Sequence, residues 1–171
     1  MRYKYETHGI VLARMPFGET SALVTLLTMD VGLVRTRVQG VRRSGAKLAA
    51  AFATFAESEF MLVRGREHWR VAGAVLKENW FRRMCNASSR MRAARVSDLL
   101  LRLVAGEAQD SKLFPIMRAF FKALATLPEG LLEAAEVLAV LRVLAALGLD
   151  EEGDEFGAGL GGELGDLRGE G

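Results

Sequence analysis

An α+β chain is what this sequence predicts, with a small five-stranded antiparallel barrel in front and an all-α bundle behind. Three observations carry that expectation. Short β-branched runs punctuated by Gly and Pro fill the chain to about residue 78, helical periodicity takes over from Asn79, and the sign of the charge reverses between the halves.

The stretch from Thr7 to Lys47 reads THGIVLARM, PFGE, TSALVTLLT, MDVG, LVRTRVQGV and RRSGAK, which spells strand, turn, strand, turn, strand and a basic loop. In the third strand Val34, Thr36, Val38 and Gly40 alternate with Arg35, Arg37 and Gln39. Successive strand side chains point to opposite faces, so both arginines leave on one face. The loop adds Arg42, Arg43 and Lys47. An Ala-rich stretch from Leu48 to Phe52 is a helical turn or a connecting arm. Two further strands, TFAESEFMLVRG and HWRVAGAVLKE, meet at a tight turn near Arg64, Gly65 and Arg66, with Trp69, Val71, Gly73 and Val75 on one face and His68 and Arg70 on the other. Five antiparallel strands of this length suit a small closed or nearly closed barrel, because closure removes exposed edges. An OB-fold barrel is the natural candidate.

From Asn79 the period lengthens. Val96, Leu99, Leu100, Leu103 and Val104 recur at helical spacing, as do Leu113, Met117, Phe120, Phe121 and Leu124. Asp110 or Ser111 caps the second of these segments, Pro115 lies in its first turns, and Pro128 with Gly130 ends it. Leu131 to Leu147 is apolar nearly all round, with Gly148 as a stop, and such a helix is the centre of a bundle or an interface. Three or four helices packed as a small bundle are therefore expected over 79–148. Asp150 to Gly171 holds 8 glycines and 8 acidic residues against one arginine. That composition buries too little surface to offset its ordering entropy, and predicts an acidic Gly-rich flexible tail.

Residues 1–95 carry 17 Lys and Arg against 7 Asp and Glu, whereas residues 96–171 carry 6 against 14. A basic head implies a polyanionic partner, and the arginine face of the barrel is where a phosphate backbone would run. Phe17, Phe52, Phe55 and Trp69 are interleaved with these cations, and bases stack on such rings. Of these, Phe17 and Trp69 are the base-stacking candidates kept, with core packing as the competing reading for Trp69 and turn-pinning for Phe17. The acidic tail is either solvated or folded back against the barrel.

Catalytic chemistry finds no support. Gly157, Gly159 and Gly162 form a literal G-x-G-x-x-G, but no strand–helix–strand unit surrounds it. His8 and His68 lack neighbours at metal-ligand or triad spacing. Glu57 and Glu59 share a strand face, as a paired-carboxylate site would, yet on a basic barrel they read as partners for arginines. The single Cys85 excludes a disulfide framework and a cysteine zinc site, and is expected to be a buried thiol. A cytoplasmic, non-enzymatic protein without cofactor or metal is expected, since no apolar stretch reads as a signal peptide or membrane span.

The residues Gly9 to Leu12, Phe17 to Glu19, Leu26 to Thr28, Gly32, Leu33 to Val41 and Arg42 to Lys47 together closely resemble the N-terminal barrel of the RecO family of bacterial recombination mediators. RGRE, KLFPIM and LRVLAALGL extend the likeness more loosely to about residue 149. The resemblance implies a DNA repair protein of the nucleoid that binds single- and double-stranded DNA through its barrel and promotes annealing. With RecR it helps RecA replace the single-strand-binding protein, whose acidic tail docks on the helical domain. Carried onto this chain, DNA contacts fall on Arg35, Arg37, Arg42, Arg43 and Lys47, with Arg64, Arg66 and Arg70 as further candidates. Many family members continue into a segment with two Cys pairs that hold zinc. This sequence has the acidic tail there, so zinc is not expected and docking of the single-strand-binding protein is left open. The division implied is a nucleic-acid-binding barrel over 1–78, a helical domain over 79–149 and a tail over 150–171. An RNA-binding barrel and a non-catalytic interaction scaffold are the alternatives.

Overall fold

The computed structural model describes residues 4–41, 46–65, 69–104 and 112–149, with the backbone alone at residues 46 and 47. Arg42, Arg43, Arg66, His68, Asp110, Ser111, the Lys47 side chain and the tail from 150 onward lie outside the described residues.

Five strands form the front of the molecule: β1 (Lys4–Phe17), β2 (Ser21–Thr28), β3 (Gly32–Val38), β4 (Ala56–Arg64) and β5 (Trp69–Asn79), with a short helix α1 (Ala46–Ala51) between β3 and β4. They close into a barrel in the order β1-β2-β3-β5-β4. The expected purely antiparallel barrel is corrected on one seam, because β3 and β5 run parallel where Thr36 faces Trp69. The reason is arithmetic: in a ring with an odd number of strands, alternating directions cannot close, so one neighbouring pair must be parallel. The Thr36 hydroxyl donates to the Trp69 carbonyl at 2.7 Å across that seam.

Turn chemistry follows the glycines. Gly18 and Gly32 adopt φ of 67° and 78° where β1 passes to β2 and β2 to β3, a backbone region costly for residues with a Cβ. Gly9 serves closeness instead, since a Cβ there would sit 3.1 Å from the Phe60 ring.

A second correction concerns the face of β5. The ladder pairs Leu62 with Val71 but Met61 with Gly73, leaving Ala72 as an extra residue. One inserted residue moves the side chains that follow it to the opposite face, here as far as Leu76, after which the ladder shifts again at Lys77. Trp69 is thus buried while Val75 is 60% exposed, and the two do not share a face.

Behind the barrel come α2 (Trp80–Arg83), α3 (Ala87–Leu103), α4 (Leu113–Thr126), a single 3-10 turn (Glu129–Leu131) and α5 (Leu132–Ala146). Asn79 and Asn86 cap α2 and α3 by accepting from the Arg82 and Ser89 amides. Pro115 is the third residue of α4, where no intrahelical donor is lost.

Two apolar clusters result. One fills the barrel with Val11, Val24, Leu26, Val34, Phe52, Phe60, Leu62 and Trp69, with α1 leading Phe52 into it. The other joins the outer faces of Ile10, Leu12, Leu27 and Leu33 to the helices through Phe55, Leu100, Phe114, Phe121 and Val143. Of the two readings of Leu131 to Leu147, the bundle centre is excluded: α5 buries Leu132, Ala139 and Val143 and leaves Val137, Leu138 and Leu141 exposed.

Candidate nucleic-acid interface

The alternation written into β3 is realised in three dimensions. Val34, Thr36 and Val38 point inward, and Arg35 and Arg37 stand exposed between them. Register brings Arg35 opposite Thr25 and Arg37 opposite Leu23. The parallel seam then lays the start of β5 alongside, and Arg70 enters the same open concavity of about 820 Å³, together with Phe17 and Gln39. The structure thus unites Arg35, Arg37, Arg70 and Phe17, residues that the chain spreads over more than fifty positions.

Phe17 ends β1 and is 47% exposed at the rim. The Arg37 guanidinium lies 4.6 Å from its ring centroid and donates to the Ser21 hydroxyl at 3.4 Å. Ring and guanidinium offer flat, adjoining surfaces, and a base can stack on either. No sequence signal pointed to Ser21, whose place beside Arg37 comes from strand register. Among the described residues Arg35, Arg37 and Arg70 have no ion-pair partner, so their charge is free to meet a phosphate.

Trp69 does not belong to the stacking surface. Its side chain is 3% exposed, packed in the barrel interior and met edge-on by Tyr5 at 5.4 Å with an interplanar angle of 73°. The expectation that it meets a base is corrected: its position opposite Thr36, at the closing seam, turns the indole inward. Arg64 covers that same indole at 5.1 Å, exposed but outside the concavity. Phe52 and Phe55 are likewise core, at 0% and 4% exposure.

The carboxylates divide as well. Glu59 accepts from Lys77 at 2.8 Å and lies 3.2 Å from His8, and its carboxyl is held below the ordinary glutamate range, first by the Lys77 hydrogen bond. Glu57 is 2% exposed and accepts from the Trp80 indole at 2.9 Å and from Arg118 at 2.9 Å. The pair therefore acts as two separate partners for cations. Cys85, expected to be buried, is exposed, because it follows the short α2 in the open link to α3. Among the described residues no group of three or more His, Cys, Asp or Glu is placed to hold a metal ion, and no helix is long and apolar enough to cross a membrane.

A family model for recombination protein O, N terminal, matches residues 1–79, which are the barrel. A DNA repair protein RecO from Acaryochloris marina is 40% identical over 80 residues, covering 47% of this chain and 27% of that protein. One from Gloeobacter violaceus is 30% identical over 150 residues, 86% of this chain and 57% of the relative. A third, from Cyanothece sp., is 28% identical over 141 residues, 82% and 46% of the two lengths. The chain spans between about a quarter and just over half the length of these relatives. With its barrel inside the matched residues and the likeness running on through the helices, the chain belongs to the RecO family.

Proposed function

We propose that this chain acts in DNA repair and recombination as a nucleic-acid-binding mediator, without catalysis of its own. Single- and double-stranded DNA would lie along the barrel concavity, with phosphates on Arg35, Arg37 and Arg70 and an unpaired base against Phe17. Arg64, Arg66 and the loop residues Arg42, Arg43 and Lys47 would extend the path. The observation that carries this reading is the convergence of three unpaired arginines and an exposed, guanidinium-backed phenylalanine on one concavity. The relatives' name, DNA repair protein RecO, supplies the process. Strand annealing, and loading of RecA with RecR against the single-strand-binding protein, are the steps such a surface would serve in the bacterial cytoplasm. The functional division would be a DNA-binding barrel over 1–78 and a helical partner domain over 79–149.

Fluorescence anisotropy of a labelled single-stranded oligonucleotide across a salt series tests the reading. Each neutralised phosphate contributes about 0.7 to the slope of log affinity against log salt for single strands, so three arginines predict a slope of about 2 or steeper. The triple variant R35E/R37E/R70E should lose most of that slope and most of the affinity. Unchanged binding by the variant would reject the concavity as the site. Tighter binding of matched RNA than of DNA would instead favour an RNA-binding barrel.

A further inference from the structure

A second surface of the same construction lies at the other end of β5. Phe81, in α2, is 41% exposed, and the Arg90 guanidinium sits 4.4 Å from its ring centroid. Arg90 is anchored there, its Nε donating to the Phe81 carbonyl at 3.2 Å and to the Met84 carbonyl at 2.9 Å. Arg82, beside Phe81, is exposed and has no ion-pair partner among the described residues. Arg83 follows, paired with Glu78 at 3.1 Å and half exposed. Residues 77–95 hold six Lys and Arg against one acid.

The exposed aromatic residues among those described are Tyr5, Phe17 and Phe81, and a guanidinium backs the rings of the two phenylalanines. A phenylalanine kept in water beside a fixed guanidinium and a free one serves no core. It has the parts that a single strand uses: a flat surface for a base and cations for the flanking phosphates. Along β5 the last residue that lines the concavity, Gly73, lies six residues before Asn79, a separation of roughly 20 Å at about 3.3 Å each.

We propose that Phe81, Arg82 and Arg90 form a second contact site for single-stranded nucleic acid, distinct from the barrel concavity. The proposed function supplies only the class of ligand. Two strand contacts on one chain would hold either two strands or two points of one strand, as annealing requires.

The test uses the full chain and a three-nucleotide thymidine oligonucleotide, too short to reach both places. Calorimetric or anisotropy titration should give two oligonucleotides per chain. F81A/R82E should leave one per chain, with affinity at the lost site about five-fold weaker or more. R35E/R37E/R70E should also leave one. A dye on the single, exposed Cys85 should be quenched by a quencher-labelled oligonucleotide in the triple variant and not in F81A/R82E. One oligonucleotide per chain in the wild type, or unchanged binding by F81A/R82E with loss of all binding in the triple variant, would overturn this site and leave the concavity standing. Loss of all binding in F81A/R82E with none lost in the triple variant would do the reverse.

Discussion

Glu57 is a buried carboxylate on β4 whose two partners, Trp80 on α2 and Arg118 on α4, both belong to the helices. It joins barrel to bundle across 61 positions of sequence. Removing one member of a buried pair strands the other, at about 3–5 kcal/mol, and the low end applies here because Arg118 is half in water. Glu57→Ala should therefore lose about 3 kcal/mol, read as a shifted midpoint in urea unfolding, with the sharpness of the transition kept. Phe17 makes the opposite case. As an exposed rim residue it carries little stability, so Phe17→Ala should leave the unfolding midpoint within about 0.5 kcal/mol. The same change should weaken single-strand binding by about 1–3 kcal/mol. The sequence offers both roles, but residue type alone does not say which residue takes which. Glu57 and Glu59 look alike in the sequence, as do Phe17 and Phe55, and partners fixed by packing separate them. Phe55 holds a φ of 62° that nothing in its composition announces, kept there by its amide donating to Val11 and its carbonyl accepting from Trp80.

Helices α3 and α5 are tied by Glu136, which accepts from Arg95 at 2.8 and 2.9 Å and is paired with Arg92 as well. The Arg95 hydrogen bonds are the main cause that holds the Glu136 carboxyl below the ordinary glutamate value, opposed by partial burial. A carboxyl with a lowered folded value stabilises the fold above its unfolded value, and that contribution fades as pH falls through the folded one. Stability of the wild type should accordingly drop below about pH 4.5, more steeply than in Glu136→Gln. Urea midpoints at neutral pH and at about pH 3.5 in the two proteins check this, and parallel losses would remove Glu136 from the account. Among the strands, β3 shows how much local pattern conveys. Its inward and outward residues alternate as written, because period two is a property of neighbours. β5 breaks the rule at Ala72, where a bulge redirects Val75 to solvent.

Across the whole molecule, the helical cluster includes the outward faces of the barrel strands. Ile10, Leu12, Leu27 and Leu33 are at most 4% exposed. Uncovering four such side chains costs roughly 1.5–3 kcal/mol each, a sum comparable to the whole stability of a typical domain. Barrel and helices are thus expected to unfold in one transition. A chain ending at Asn79 should show no cooperative unfolding and should bind a hydrophobic dye such as ANS, whereas a native-like melt of that fragment would show the barrel to be self-sufficient. Packing thus makes the folding unit larger than the barrel over 1–78 that the sequence predicts.

By itself the sequence determined the number of strands, the arginine face of β3, the onset of helices at Asn79 and the family, since each is written in adjacent residues or short motifs. Even the parallel seam was implicit, because five strands in a closed ring require one. Only the tertiary structure decided that Arg70 joins Arg35 and Arg37 while Arg64 stands apart, that Trp69 is core while Phe17 is surface, and that Phe81 meets Arg90. These outcomes depend on contacts between distant segments. Strand pairing and helix packing set those contacts, and residues adjacent in the chain do not record which distant segment they will meet.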